Sequence, residues 1–171
     1  NLSELNINEI ENASKLMMTA LEAGGKIMFC GNGGSAADAQ HLSTELVGRY
    51  RKNRRSLASI ALTTDTSLIT AISNDYSFEE IFSRQLEAFG QIDDILYAIS
   101  CSGTSKNVIK AILTAKERGI KVIGLTGISG GDMNNLCDII IKVPSDRTDR
   151  IQEMHIAIGQ ILCEIIEEKL C

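Results

Sequence analysis

Apolar positions along the chain follow two alternating patterns, which predict helices and strands in turn. An apolar residue every three or four positions predicts a helix, and a short run rich in Ile, Val and Leu predicts a strand. The predicted strands cover residues 26–30, 57–62, 94–99, 121–125 and 138–143. The predicted helices cover residues 8–23, 36–47, 67–72, 78–89, 104–118 and 149–170, with a further short helix after residue 131. Because strands alternate with helices, the pattern predicts an α/β fold whose parallel sheet is covered on both faces.

Two turns rich in small residues follow the first and third predicted strands, where ligands of parallel sheets bind. We call residues 31–36, Gly-Asn-Gly-Gly-Ser-Ala, the glycine turn and residues 100–105, Ser-Cys-Ser-Gly-Thr-Ser, the serine loop. The glycine turn formally matches a dinucleotide fingerprint, but a dinucleotide site also needs an acid about 20 residues further on. That position falls in the basic segment 52–55, and the first acid beyond it is Asp65. We therefore expect no nucleotide cofactor.

The serine loop predicts an anion site. A helix cap needs one Ser or Thr, whereas this loop has three serines and a threonine among six residues. Clustered hydroxyls beside the free N–H groups of a helix N-terminus suit an anion. A compact phosphomonoester fits best, because a diphosphate groove more often recruits Lys or Arg.

Composition narrows the function classes. The 171 residues suit one domain, 1–171, and the net charge of −5 argues against a dedicated nucleic-acid binder. No apolar run approaches the roughly 20 residues of a membrane span. Two histidines cannot build a three-histidine metal site, and five cysteines without a CxxC pair predict buried free thiols, as at Cys30 and Cys163. These features predict a cytoplasmic protein. Its start at Asn1, without Met or a signal-peptide pattern, predicts a trimmed N-terminus.

Five motifs, in order along nearly the whole chain, resemble the sugar isomerase (SIS) domain family, and within it the bacterial phosphoheptose isomerases. They are Gly31-Asn-Gly-Gly-Ser-Ala-Ala-Asp-Ala-Gln-His41, Ala61-Leu-Thr-Thr-Asp-Thr66, Ser73-Asn-Asp-Tyr76, the serine loop and Arg150-Ile-Gln-Glu-Met-His155. The resemblance implies a three-layer, flavodoxin-like α/β/α domain with a five-stranded parallel sheet, assembled as a homotetramer with sites at subunit interfaces. It also implies an isomerase of sedoheptulose 7-phosphate and D-glycero-D-manno-heptose 7-phosphate, acting through an enediol in the first step toward the heptose of lipopolysaccharide.

The resemblance further implies a role for each motif residue. The residues that would hold the phosphate are Ser100, Cys101, Ser102 and Ser105, with Ser35 nearby. The residues that would line the rest of the substrate are Asn32, Gly33, Gly34, Asn74, Asp75 and Gln152. Glu45 would be the catalytic acid and base. Zinc, where bound, would be held by His41, Glu45 and Gln152.

One position departs from the family pattern. Gln160, eight residues after Gln152, stands where the family has its second catalytic histidine. Glutamine cannot exchange a proton near neutral pH and is a poor zinc ligand. We therefore expect a one-base reaction through Glu45, with Gln160 positioning a hydroxyl or water, slower turnover, and weak or absent zinc binding. His155 lies on another face of the helix, so we expect it to have a packing or interface role.

The chemistry of isomerisation agrees with a role for residues His41 and Glu45. Moving a proton between adjacent carbons needs a base, and a carboxylate such as Glu45 can serve as one. His41 and Glu45 are four residues apart, so their side chains share one helix face. The alternative for this pair is an ordinary exposed contact along a helix.

Two other functions compete with the isomerase. A partner-binding SIS protein, similar to the initiator-associating factor of bacterial DNA replication, would share the 150–155 motif, but the intact Glu45 and Gly33-Gly34-Ser35 favour the enzyme. A basic run could suggest nucleic acid, although a solvated loop, or one that steers anionic substrate, is the better interpretation. Its members are Arg49, Arg51, Lys52, Arg54 and Arg55.

Overall fold

The computed structural model describes residues 7–171, which form a five-stranded parallel sheet with helices on both faces. The strands are β1 (Ile27–Gly31), β2 (Ser59–Ala61), β3 (Ile95–Ile99), β4 (Lys121–Thr126) and β5 (Ile139–Lys142). The α-helices are α1 (Ile7–Glu22), α2 (Gly34–Val47), α3 (Thr66–Asp75), α4 (Ser83–Phe89), α5 (Lys106–Glu117) and α6 (Thr148–Leu170). Short 3-10 helices cover Phe78–Glu80 and Gly131–Asn135. The predicted three-layer α/β fold is confirmed.

The strand order places the topological switch point of the sheet between β1 and β3. The sheet runs β2-β1-β3-β4-β5, so the connections after β1 and β3 leave toward opposite edges and open a crevice at their carboxyl ends. The register pairs Ile27 with Ile95 and Gly31 with Ile99. Because both strands end at the same level, the glycine turn and the serine loop start side by side.

The core has two layers because side chains of a strand alternate between the faces of the sheet. Phe29 and Tyr97 face the layer of α1, α2 and α6, with ring centroids 5.1 Å apart. Met28 and Leu96 face the opposite layer, which contains α4 and α5. Every residue of β1 and β3 is buried, as expected for central strands covered on both sides. Cys30 and Cys163 are buried free thiols, as predicted.

Several predicted boundaries differ from the structure. The strand predicted over residues 57–62 is confined to Ser59–Ala61, because Leu57 donates its backbone N–H to Leu46 at the end of α2. Helix α3, capped by Asp65, continues through Asp75, three residues beyond the predicted end at residue 72. The helix predicted over residues 78–89 is divided before Ser83, whose hydroxyl bonds to the backbone of Glu80.

The basic segment is less solvated than predicted. The Arg54 side chain is only 4% exposed, and its guanidinium donates to Glu167 and to the backbone oxygens of Glu45 and Leu46. The charge pattern predicted one solvated loop for all five cations. The structure separates Arg54, which closes the end of α2, from its exposed neighbours. Within residues 7–171, no helix combines the length and hydrophobicity needed to span a bilayer.

Candidate active site

The glycine turn links β1 to α2 with a backbone that only glycine adopts readily. Gly33 has φ +56° and immediately precedes the helix. A Cβ added to Gly34 would lie 2.6 Å from the side-chain nitrogen of Gln152. The missing side chain at Gly34 therefore lets the Gln152 amide, from α6, lie directly over the turn.

Cys101 connects the serine loop to the same place. The half-buried thiol makes side-chain contacts with Ser35 and Gln152, and burial raises its pKa while those two polar neighbours lower it by less. The structure thus brings three predicted substrate residues together from the glycine turn, the serine loop and α6. The raised pKa keeps the Cys101 thiol protonated at neutral pH, which suits a hydrogen-bond donor better than a nucleophile.

The serine loop is organised by its own hydroxyls. The Oγ atoms of Ser100 and Ser105 lie 3.0 Å apart, and Gly103 donates its N–H to Ser100 Oγ at 3.2 Å. Thr104 donates to Ser102 Oγ from both its N–H, at 3.2 Å, and its hydroxyl, at 3.0 Å. These bonds keep Thr104 in the loop, so α5 begins at Lys106 rather than at the predicted residue 104.

Helix α5 starts without a side-chain cap. Ser105 occupies the cap position, yet its hydroxyl makes no capping hydrogen bond and faces Ser100 instead. The first N–H groups of a helix have no partner within it and carry a partial positive charge. The loop hydroxyls and these N–H groups together suit the phosphate predicted at Ser100, Cys101, Ser102 and Ser105.

Helices α2 and α6 approach closely beside the glycine turn. A Cβ on Gly159 would lie 2.5 Å from both Cδ atoms of Leu42, so a glycine permits this packing. One residue further, Gln160 Nε2 lies 2.7 Å from His41 Nε2. His41 Nε2 also lies 3.0 Å from Glu45 Oε1, and the Glu45 side chain is only 19% exposed. The structure therefore brings together His41, Glu45 and Gln160.

The three side chains meet at one ring nitrogen. His41 Nε2 lies within hydrogen-bond distance of both Gln160 Nε2 and Glu45 Oε1. A ring nitrogen has either one hydrogen or one lone pair, so His41 Nε2 can form a full hydrogen bond with only one of these two groups at a time. The Gln160 amide oxygen is left to accept from a hydroxyl or water.

The predicted zinc residues do not fit a zinc ion. Zinc sites draw on Cys, His and carboxylate ligands, usually four in a closed site and three in a catalytic one. Here His41 and Glu45 supply two such donors, whereas Gln152 and Gln160 supply amides. Within residues 7–171, no group of three or more His, Cys, Asp or Glu side chains is placed to hold a metal ion.

Asn74 and Asp75 lie at the end of α3. Both are exposed, and Asn74 donates to the Asp75 carboxylate at 2.8 Å. Within the described part of the chain, no side-chain hydrogen bond joins either residue to the glycine turn or the serine loop. Their contact with substrate stays a prediction.

Two residues near the site were missed by sequence analysis. Asp38 lies one helical turn before His41; its Oδ2 atom is buried without a hydrogen-bond partner among the described residues, and burial raises its pKa. The spacing of Asp38, His41 and Glu45 along one helix face could have indicated it. Asn107, 3% exposed, pairs with the Asn32 amide, a contact that no local pattern predicts.

His155 is a buried residue of α6. Its side chain is fully buried, and burial lowers its pKa to about 4. A neutral imidazole surrounded by core residues supports the packing role predicted for His155.

The site lies at the switch point of the sheet and combines the glycine turn, the hydroxyl-rich serine loop and a nearby carboxylate–imidazole pair. Together these features are those of a sugar-phosphate-binding protein of the SIS class. The SIS domain family profile matches residues 1–127. The chain is 57% identical over 162 residues to the phosphoheptose isomerase of Rhodospirillum rubrum, covering 95% of this chain and 86% of that protein. It is also 57% identical over 166 residues to the phosphoheptose isomerase of Campylobacter jejuni, covering 97% and 89%.

Solved structures agree with these relatives. The phosphoheptose isomerase of Neisseria gonorrhoeae superposes with a TM-score of 0.90 at 46% identity, covering 95% of this chain and 86% of that one. The Francisella tularensis phosphoheptose isomerase superposes with a TM-score of 0.92 at 44% identity, with the same coverage. The chain therefore belongs to the phosphoheptose isomerase family.

Proposed function

We propose that this chain is an aldose–ketose isomerase that interconverts sedoheptulose 7-phosphate and D-glycero-D-manno-heptose 7-phosphate, the first step toward lipopolysaccharide heptose. The observation that carries the proposal is the partly buried Glu45 carboxylate beside His41, on the helix that begins at the glycine turn. The names of the relatives and the retained Glu45 favour this enzyme over the partner-binding alternative.

The proposed reaction moves one proton between two carbons. Glu45 removes a proton from C1 of the ketose, leaving a 1,2-enediol, and returns it to C2 to form the aldose. The hydroxyl proton passes from O1 to O2, so charge and atoms balance. The serine loop and the start of α5 hold the phosphate, which fixes the reacting carbons at a distance from it. His41 orients the Glu45 carboxylate through their 3.0 Å contact, and the Gln160 oxygen orients a substrate hydroxyl.

The proposal extends to assembly and location. We infer a homotetramer whose sites lie at subunit interfaces, because Asn74 and Asp75 are exposed at the end of α3 and so are open to a neighbouring subunit. In such an assembly, this pair would complete a neighbour's site. We place the enzyme in the cytoplasm, where phosphorylated sugars are made and retained by their charge.

Replacing Glu45 tests the catalytic role. Glu45→Gln keeps the shape of the side chain but removes its basicity, so we expect kcat to fall by about 10²–10⁴-fold. KM for sedoheptulose 7-phosphate should change little, because the phosphate site is intact. The measurement is conversion of this substrate by purified protein, and Glu87→Gln, an exposed residue on α4, is the control. Activity of Glu45→Gln within tenfold of the wild type would refute the assignment, and an inactive wild type would refute the function.

Metal removal tests the proposed zinc-free site. We expect dialysis against EDTA to leave activity within about twofold, because His41 and Glu45 alone do not complete a zinc site. The matched variant is Gln160→His, which adds a third strong donor beside His41 and should increase the zinc measured per chain. Stoichiometric zinc in the wild type, together with lost activity after EDTA, would contradict the proposal.

A further inference from the structure

The Asn32 side chain is held by a second amide in a reciprocal pair. Asn32 Nδ2 donates to Asn107 Oδ1 at 2.8 Å, and Asn107 Nδ2 donates to Asn32 Oδ1, also at 2.8 Å. Asn32 belongs to the glycine turn, and Asn107 lies in the first turn of α5, directly after the serine loop. The pair therefore bridges the two loops that the sheet register places side by side.

This pairing removes the rotational ambiguity of the Asn32 amide. Turning either amide by 180° would face nitrogen with nitrogen and oxygen with oxygen, which loses both hydrogen bonds. Each amide spends one N–H and one oxygen lone pair on the other. Asn32 therefore keeps one N–H donor and one acceptor position, both in a set direction, for a bound molecule.

Asn107 is well suited to act as the fixed member of the pair. It is 3% exposed, and its Oδ1 also accepts the backbone N–H of Val108 at 2.9 Å, which ties the amide to α5. Asn32 is more exposed than Asn107, so it is the member of the pair that a bound molecule can reach. The rigid, buried amide thus orients the accessible one.

We propose that Asn107 is a positioning residue that fixes the Asn32 amide so that it can discriminate and orient the hydroxyl groups of the sugar phosphate. The proposal rests on the proposed function for its substrate class. Asn107 acts through Asn32, not by touching substrate. Losing Asn107 should therefore weaken handling of the sugar portion while leaving the phosphate contacts of the serine loop in place.

A double-mutant cycle tests this route of action. Asn107→Asp keeps size but cannot donate to Asn32 Oδ1, and Asn107→Ala removes both amide bonds. In the wild-type background, we expect either Asn107 variant to lower kcat/KM for sedoheptulose 7-phosphate by about 10–100-fold. In the Asn32→Ala background, the same substitution should lower kcat/KM by less than about twofold. Competitive inhibition by inorganic phosphate should change by less than about twofold, because it reports on the serine loop alone.

The cycle separates positioning from a merely structural role. If Asn107 only stabilises the fold, its substitution lowers activity equally in both backgrounds and weakens phosphate inhibition together with sugar handling; this result would overturn the proposal. Wild-type activity in both Asn107 variants would also overturn it. If the wild type does not isomerise the sugar, the same cycle is run on sedoheptulose 7-phosphate binding measured by calorimetry, so failure of the function and of the inference remain distinguishable.

Discussion

Two carboxylates, one near each end of α2, have opposite surroundings. At the C-terminal end, Glu167 of α6 is 3% exposed and accepts hydrogen bonds from the backbone N–H groups of residues 50–52 and from the Arg54 guanidinium. We call this arrangement the carboxylate clamp. Toward the N-terminal end, Asp38 has a buried oxygen with no partner among the described residues. Both carboxylates lie where α2 meets α6 or the sheet.

The two pKa values move in opposite directions for a physical reason. Burial alone would raise the pKa of Glu167, but the N–H groups of Lys52, Arg51 and Tyr50 and the side chain of Arg54 outweigh it and lower the value to about 2. Burial raises the pKa of Asp38, and the only opposing influence is the nearby His41. The clamp is therefore a satisfied, stabilising structure, whereas the site end of the helix contains polar groups left unsatisfied.

The clamp also supports the candidate site, because Glu45 lies only two residues before the end of α2. The Arg54 guanidinium in the clamp bonds to the backbone oxygens of Glu45 and Leu46, which closes the last turn of α2. The backbone that carries Glu45 is thus held in place by the clamp, while its side chain remains available to His41. A satisfied carboxylate at this end of the helix therefore supports the residue proposed for chemistry, whereas Asp38, nearer the start of the helix, has no such support.

Breaking the clamp should give the largest loss of stability. Glu167→Gln leaves the buried Arg54 without its partner, and we expect the free energy of unfolding to fall by about 3–5 kcal/mol. Urea unfolding of the variant at pH 7 measures this, with the exposed neighbour Glu168→Gln as matched control. A loss below about 1 kcal/mol would place the clamp among ordinary surface ion pairs.

Acid should remove the contribution of the clamp. The pKa of Glu167 lies at about 2 in the fold against 4.5 without the fold, so its stabilisation is complete above pH 4.5 and lost as pH falls toward 2. The stability difference between the wild type and Glu167→Gln should therefore shrink across this interval. Unfolding curves from pH 6 to pH 2.5 measure it, and a constant difference would contradict the clamp.

Neutralising Asp38 should have the smallest effect, with the opposite sign. The raised pKa means that ionised Asp38 opposes folding above that pKa, and the cost disappears as pH falls below it. Asp38→Asn should stabilise the protein by up to about 1 kcal/mol at pH 7, a modest value because the side chain is half-exposed. Thermal unfolding checks this against the exposed control Asp93→Asn. Destabilisation by Asp38→Asn would show that the carboxylate has a favourable partner.

Sequence analysis predicted local features well because they depend on nearby residues. The alternation of apolar runs indicated the five strands of the sheet. Boundaries failed where a contact outside the element competes with local preference. Leu57 bonds to Leu46 at the end of α2 rather than extending β2.

The sequence by itself determined the fold class, the two loops and the presence of Glu45 with Gln160, because these follow from periodicity, glycine and hydroxyl placement, and residue identity. Only the tertiary structure decided which side chains meet. Gln160 reaches His41 across α2 and α6, Arg54 is buried against Glu167, and Asn107 pairs with Asn32. These contacts join residues far apart in the chain, and helix packing and strand register, rather than spacing, set their distances.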